Sequence, residues 1–192
     1  MNNLKKSAIA GVLALCAGQA CATDGTINFT GEILQSTCDF ADQSRMVNVE
    51  LGHYGRKQFT EPGAKSPTVY FTIPLMNCPT TQWTHLDGTE GASFRLWLET
   101  RDHDSTIDGQ NLLAVTSMKG SAAEGVGIRV ALQDGTDEGT PIKLDQLDDN
   151  VIPITGESMD LDLQAYYVST VATDDIKPGP ANASVDVTFD YR

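Results

Sequence analysis

The sequence predicts an all-β fold, an antiparallel β-sandwich or barrel of many short strands. Apolar and polar residues alternate with a period of two along most of the chain, which is typical of strands with one buried face. Turn-forming pairs such as Asp-Gly and Pro-Gly separate these segments. No segment shows a sustained helical repeat with caps, and no strand–helix–strand rhythm appears. This combination favours a sandwich or barrel over an α/β fold.

The first and the last predicted strands lie close to the two ends of the chain. The first has apolar or small residues at Ile27, Phe29, Gly31 and Ile33, and the last spans 183–191. Five further strands are predicted between them, around 47–51, 69–75, 94–98, 126–132 and 161–167. Pro74 predicts a sheet edge or a bulge because proline donates no ladder hydrogen bond. A single helical turn is predicted near 145–150, and no linker divides the chain.

The N-terminus has the organisation of a secretory leader. Lys5 and Lys6 precede a short apolar run over 8–17, and small residues end it at Ala20-Cys21-Ala22. We expect cleavage after Ala22. A lipoprotein leader fits less well, because neither leader cysteine has the aliphatic and small residues that such a site needs.

The predicted mature chain is one acidic domain. Removing 22 of the 192 residues leaves 170, enough for a substantial core. The full chain has a net charge of −13, and losing the two leader lysines makes it −15. So acidic a chain argues against binding nucleic acid or anionic lipid.

The two cysteines that remain, Cys38 and Cys78, predict a disulfide. An even pair in an exported chain is normally oxidised. Their separation of 40 positions corresponds to about 4 kcal/mol in the chain-entropy model. A metal site is the weaker alternative, because no second cysteine or histidine pair lies nearby.

No catalytic or cofactor motif stands out. The histidines are isolated in sequence, and three aspartates resemble a calcium loop that lacks its glycine and closing glutamate, a minor alternative. These residues are His53, His85, His103, Asp102, Asp104 and Asp108. The acids at 145, 148 and 149 are interpreted as a solvated turn. Trp83, in the long insert after Thr80, covers the core or contacts a partner. We expect no cofactor.

Gly31 lies on the apolar face inside the first predicted strand, where glycine usually marks a bulge or a close approach of another group. From the residues alone, a bulge or packing inside its own domain is the simpler interpretation. The alternative is a strand whose apolar row fits a groove elsewhere, with Gly31 leaving room for a bulky residue.

Three segments together resemble the pilins of the chaperone–usher pathway. "GTINFTGEILQSTC" resembles their N-terminal extension, "YFTIPLMNCP" the strand with the second cysteine, and "ANASVDVTFDYR" their last strand. Gly179 is fourteenth from the C-terminus, where the family commonly has glycine. The resemblance covers essentially the whole mature chain.

The resemblance implies an incomplete immunoglobulin-like sandwich, lacking its last strand, with an N-terminal donor-strand extension. The implied segments are a leader at 1–22, the extension at 23–37 and the pilin domain at 38–192. The implied donor row is Ile27, Phe29, Gly31 and Ile33. The implied acceptor groove and chaperone-facing strand comprise Gly179, Ala183, Val185, Val187, Phe189, Tyr191 and Arg192, with the Arg192 carboxylate on basic chaperone residues.

The resemblance also implies the partners and the location. These are a periplasmic immunoglobulin-like chaperone, an outer-membrane usher and neighbouring pilin subunits, on a route through the periplasm to the surface fimbrium. The predicted function is a structural subunit, not an enzyme, that polymerises by donor-strand exchange and contributes to adhesion. The alternative is a tip adhesin or a self-complete exported carbohydrate-binding sandwich. An exported hydrolase has no supporting motif.

Overall fold

The computed structural model describes residues 37–41, 45–85, 87–100, 106–107, 111–117, 120–146 and 149–191. The chain divides into a unit of Met1–Ile33 and a unit of Leu34–Arg192, and every described residue belongs to the second. The predicted leader and donor row therefore lie outside the described residues. No helix in the described part is long and apolar enough to cross a membrane.

Short strands dominate the second unit, as the alternation of the sequence predicts. Helical structure among the described residues consists of two 3-10 turns, Arg56–Gln58 and Thr173–Asp175. The strands are β1 Asp39–Phe40, β2 Val69–Met76, β3 Trp83–Thr84, β4 Glu90–Gly91, β5 Ser93–Thr100, β6 Thr106–Ile107, β7 Leu112–Ala114, β8 Val126–Leu132, β9 Thr140–Pro141, β10 Val151–Pro153, β11 Met159–Ser169 and β12 Val185–Asp190.

Two antiparallel sheets form a sandwich, which confirms the predicted all-β class. The larger sheet has the order β1-β2-β11-β8-β7-β6, and β9 adds to β8. The smaller sheet has the order β10-β5-β12. A separate hairpin joins β3 to β4, with Trp83 opposite Gly91.

The core lies between the sheets because alternate residues of each strand point inward. Phe94, Leu96 and Leu98 of β5 are almost fully buried against Ile73 of β2 and Leu163 of β11. Burying each such side chain contributes about 1.5–3 kcal/mol. The predicted disulfide is present, and it joins Cys38 and Cys78 inside this core.

Pro74 lies in β2, next to the sheet edge, which the two-residue strand β1 forms. Its carbonyl accepts a hydrogen bond from the Ala41 N–H at 2.9 Å. Since the nitrogen and carbonyl of one residue face the same side of an antiparallel strand, the proline nitrogen also faces the short β1 side. The pairing of β2 with β11 therefore loses no hydrogen bond.

Two local predictions are wrong. Residues 45–51 belong to no strand, although Val47, Val49 and Leu51 alternate with polar residues. The described residues near 145–150 form turns, not a helical turn. Within them the Asp145 carboxylate accepts the Thr100 N–H at 2.9 Å, so this acid anchors β5 and is not simply solvated.

Candidate functional site

The last strand, β12, has an unpaired edge. It pairs with β5 along one side, from Val185 opposite Thr100 to Asp190 opposite Arg95. On its other side no strand of the described ranges pairs with it. An edge of this kind presents unpaired N–H and C=O groups that can bind another strand.

The pairing of β5 determines which β12 backbone groups face that edge. The Leu96 N–H donates to the Asn150 carbonyl, so the backbone N–H and C=O groups of Leu96 and of every second residue of β5 point toward β10. The backbone groups of Arg95 and Trp97 therefore point toward β12, where these residues lie opposite Asp190 and Thr188. It follows that the N–H and C=O groups of the odd-numbered residues Val187 and Phe189 point to the open edge.

An apolar groove of about 1630 Å³ runs beside this edge. Val185, Val187 and Phe189 of β12 are half-buried along one side, while Asp186 and Thr188 point outward and are exposed. The irregular segment 45–51 lines the groove as well, and Met46 and Val47 in it are 68% and 42% exposed. The groove thus has apolar walls that its own described residues leave uncovered.

Core residues of both sheets make the floor of the groove. They are Phe71, Ile73, Leu98, Leu113, Ile128, Val130, Leu163 and Ala165. The lining suits a chain segment with one apolar row, and the β12 edge offers that segment backbone hydrogen bonds. This is the geometry of β-augmentation, in which an extended peptide adds a strand to an open sheet edge.

Tyr191 ties the two sheets together at one end of the groove. Its hydroxyl accepts the backbone N–H of Cys38 at 2.7 Å, and its carbonyl accepts Nε1 of Trp83 at 3.0 Å. Nearby, the rings of Phe40 and Phe189 stack with centroids 5.4 Å apart. Burial raises the pKa of the Tyr191 phenol, and the Cys38 N–H opposes that shift.

Gly179 lies at the opposite end of the groove, against the backbone of residues 121–123. A Cβ atom at this position would lie 2.8 Å from the nitrogen of Ala123. The loop is held there by a hydrogen bond from the Ala123 N–H to the Pro180 carbonyl. The Tyr167 hydroxyl donates to the Ala181 carbonyl at 2.7 Å, and burial raises the pKa of Tyr167.

The structure places the described members of the predicted acceptor set along one groove. Gly179, Ala183, Val185, Val187, Phe189 and Tyr191 all line it. The predicted donor row at 27–33 and the C-terminal Arg192 lie outside the described residues. The acceptor and donor roles remain predictions.

The sequence did not reveal two features of this site. Trp83 is 5% exposed and caps Tyr191, although its position in an insert only suggested a core or partner contact. The segment 45–51 alternates like an ordinary strand, but it belongs to no strand. Its apolar alternation was the available signal, but alternation does not show which strand lies beside it.

The described residues hold no group of three His, Cys, Asp or Glu side chains that could bind a metal ion. Asp102, Asp104 and Asp108, the minor calcium alternative, lie outside them. His85 is buried, with its ring centroid 5.1 Å from that of Trp83 and its Nε2 3.1 Å from the Ser93 hydroxyl. It is a packing residue of the hairpin.

Sequence comparison assigns this groove-bearing domain to a family. The family described as Fimbrial protein matches residues 27–192. The chain belongs to the fimbrial protein family. This confirms the resemblance to chaperone–usher pilins that the three sequence segments carried, and the chain is a structural subunit of a cell-surface fimbrium.

Full-length relatives of this fimbrial subunit support the assignment. It is 50% identical to the uncharacterized fimbrial-like protein YraH of Escherichia coli K12, with 100% of both chains covered. It is 33% identical to the probable major fimbrial subunit LpfA of Escherichia coli O157:H7, over 94% of this chain and 92% of the relative.

Solved structures show the same fold. The P pilus rod subunit PapA is similar with a TM-score of 0.60 at 17% identity, over 82% of this fimbrial subunit and 100% of PapA. The CupB6 tip adhesin of Pseudomonas aeruginosa has a TM-score of 0.59 at 24% identity. That match covers 81% of this chain but only 38% of the adhesin.

Proposed function

We propose that this fimbrial subunit polymerises by donor-strand exchange. In this assembly, the N-terminal extension at 23–37 of one copy occupies the groove beside β12 of the next copy. The observation that carries the proposal is the open β12 edge above an apolar groove. A sandwich with such an edge is prone to aggregate unless another strand covers it.

The extension has the pattern that this groove requires. Ile27, Phe29 and Ile33 make one apolar row, and polar residues alternate with them. Burying these three side chains would contribute about 1.5–3 kcal/mol each, as an upper estimate before ordering costs. Backbone bonds to Val187 and Phe189 would add attachment that does not depend on side chains.

The same groove needs a cover before assembly. We assign that role to a periplasmic immunoglobulin-like chaperone, which supplies a temporary strand after the leader at 1–22 is removed. The Arg192 carboxylate then pairs with basic chaperone residues, and an outer-membrane usher hosts the exchange for the next subunit. Co-purification from the periplasm tests this step, because deleting Tyr191-Arg192 should abolish recovery of the chaperone.

A variant of the full chain tests strand donation directly. Ile27→Asp with Phe29→Asp places charges in the donor row and should prevent donation while leaving the groove intact. We call this the non-donating variant. The matched control, Asn28→Asp with Thr30→Asp, adds the same two charges to the polar row.

Light scattering after removal of the chaperone is the measurement. The unsubstituted chain and the control should polymerise. The non-donating variant, released from the chaperone in the presence of a synthetic peptide of residues 23–36, should stay monomeric with the peptide bound in one-to-one ratio, because the peptide covers its open edge. A non-donating variant that polymerises as readily as the control, or that ignores the peptide, would overturn donor-strand exchange.

A tip adhesin is the second candidate, and the likeness to the CupB6 tip adhesin is the observation that favours it. A tip subunit needs to accept a strand but not to donate one. The non-donating variant separates the candidates, because a tip subunit would still be incorporated into fimbriae in cells and an internal subunit would terminate them.

A further inference from the structure

The two ends of the groove beside β12 are built differently, with Tyr191 hydrogen-bonded to Cys38 and Trp83 at one end and Gly179 at the other. We propose that Trp83 and Tyr191 form a stop at the Tyr191 end that fixes the register of the strand donated by a second copy. The inference rests on the proposed strand donation and adds the element that determines how far the strand slides. Trp83 and Tyr191 are therefore positioning residues for assembly.

The first argument concerns the backbone edge. The odd-numbered residues of β12 direct their carbonyls to the open side, and this alternation continues to Tyr191. The Tyr191 carbonyl is already bonded by Nε1 of Trp83 at 3.0 Å. An incoming strand can bond Val187 and Phe189, but at Tyr191 it meets an indole in place of a free acceptor. The backbone ladder ends at this point.

The second argument concerns the space between the sheets. The Tyr191 hydroxyl accepts the Cys38 N–H at 2.7 Å, which bridges the larger and smaller sheets. The Phe189 ring lies 5.4 Å from that of Phe40 and 4.9 Å from that of Phe94. Aromatic rings therefore fill this end, whereas Val185 and Val187 leave the groove open further along β12.

The third argument concerns the rigidity of the stop. Trp83 is 5% exposed and belongs to the β3–β4 hairpin, whose last residue lies two positions before β5 begins. The His85 ring packs against the indole at a tilt, with the ring centroids 5.1 Å apart, and its Nε2 lies 3.1 Å from the Ser93 hydroxyl of β5. The indole is thus held by the same strand that pairs with β12.

A stop is needed because side-chain alternation alone leaves the register ambiguous. A slip of one residue turns the apolar row away from the groove, but a slip of two residues returns it to the same face. After a slip of two residues, the apolar row would fit the groove almost as well, and only Gly31 would lie opposite a different part of the groove. A fixed end to the ladder removes this ambiguity.

Disulfide trapping measures the register. A peptide of residues 23–36 carrying Thr30→Cys is added to the non-donating variant with one further cysteine on the outward face of β12. The three acceptor positions are Asp186→Cys, Thr188→Cys and Asp190→Cys. Peptide mapping gives the yield at each position, and the native Cys38–Cys78 pair reports correct folding.

One of the three positions should dominate about tenfold in the non-donating background. Trp83→Phe keeps a ring but removes the indole N–H, and Trp83→Leu removes the ring system as well. Either change should move a substantial share of the yield two residues toward the Tyr191 end. Tyr70→Leu is the control, because Tyr70 is 55% exposed on β2 and does not line the groove, and it should leave the yields unchanged.

An unchanged single position in both Trp83 variants would overturn the stop while leaving strand donation intact. Absence of trapping at every position of the background protein would overturn donation itself, and the stop with it. The two failures are therefore distinguishable.

Discussion

The absence of a side chain at Gly179 lets two backbone segments touch at one end of the groove. Gly179→Ala would place a Cβ atom 2.8 Å from the Ala123 nitrogen and 2.9 Å from the Ser121 carbonyl oxygen. Because backbone atoms cannot rotate away, we expect a loss of about 1–3 kcal/mol in the free energy of unfolding. Urea titration of the non-donating variant measures it. Gly55→Ala, with no atom within 4 Å, is the control, and equal midpoints for both would contradict the packing argument.

Asn150 holds the turn before β10 with a buried amide. Its Nδ2 donates to the carbonyls of Leu96 and Lys143, and its Oδ1 accepts the Lys143 N–H. Asn150→Ala leaves these groups unpaired and should cost about 2 kcal/mol or more in unfolding free energy. The exposed neighbour Gln146→Ala should change the urea midpoint little. A similar midpoint for both variants would mean that water replaces the amide.

Three tyrosines, Tyr166 buried and Tyr167 and Tyr191 half-buried, predict a loss of stability in alkali. Burial raises the pKa of Tyr166, Tyr167 and Tyr191 above the ordinary 10.0. Above that pH the unfolded chain loses phenol protons that the folded chain retains, so the free energy of unfolding falls as pH rises through the folded pKa values. Below pH 10 the contribution is fully present.

Urea midpoints measured between pH 8 and pH 11, with the disulfide intact, give the slope of stability against pH. Tyr191→Phe should flatten it, and Tyr70→Phe, at an exposed position of β2, is the control. An identical slope in the two variants would contradict a contribution from Tyr191.

At the scale of the element, β12 is a strand with one satisfied and one open edge. In the non-donating variant, the amides of Asp186 and Thr188, which face β5, should exchange slowly with solvent. Those of Val187 and Phe189 should exchange quickly and slow at least tenfold when the peptide of residues 23–36 is added. Amide exchange followed by NMR distinguishes the two sets. Protection of Val187 and Phe189 without peptide would show that the chain covers its own edge.

The segment 45–51 shows why some elements escaped prediction. Its alternation is that of a strand, but a strand exists only where a partner offers backbone hydrogen bonds. The segment lines the groove, and in the lone chain no described strand lies in the groove to pair with it. The alternation predicted a strand correctly where the described chain itself supplies a neighbouring strand, as it does for β5, β8 and β11.

At the scale of the whole molecule, the disulfide connects the start of the domain to the end of β2. It also supports the groove, since the Cys38 N–H bonds the Tyr191 hydroxyl. Cys38→Ala with Cys78→Ala should lower the free energy of unfolding by about 2–5 kcal/mol. Peptide binding should weaken in parallel. Calorimetric titration with the 23–36 peptide, beside urea titration, checks both. Unaltered peptide affinity in a destabilised variant would separate the disulfide from the groove.

Local pattern was enough to predict the all-β class, the disulfide and the apolar row of the last strand. Each depends on residues near one another in the chain or on the chemistry of a single pair. The resemblance to pilins, now confirmed as family membership, added the expectation of an acceptor groove. The geometry of that groove agrees with it, while the donor role of 27–33 remains a prediction.

Tertiary structure alone decided which edge stays open and which residues meet at the Tyr191 end of the groove. Trp83 and Tyr191 are 108 positions apart, and Cys38 and Tyr191 are 153 apart. No periodicity or composition relates residues at such distances. Their contacts arise only when the two sheets pack, because packing brings the start, an insert and the end of the domain to one place.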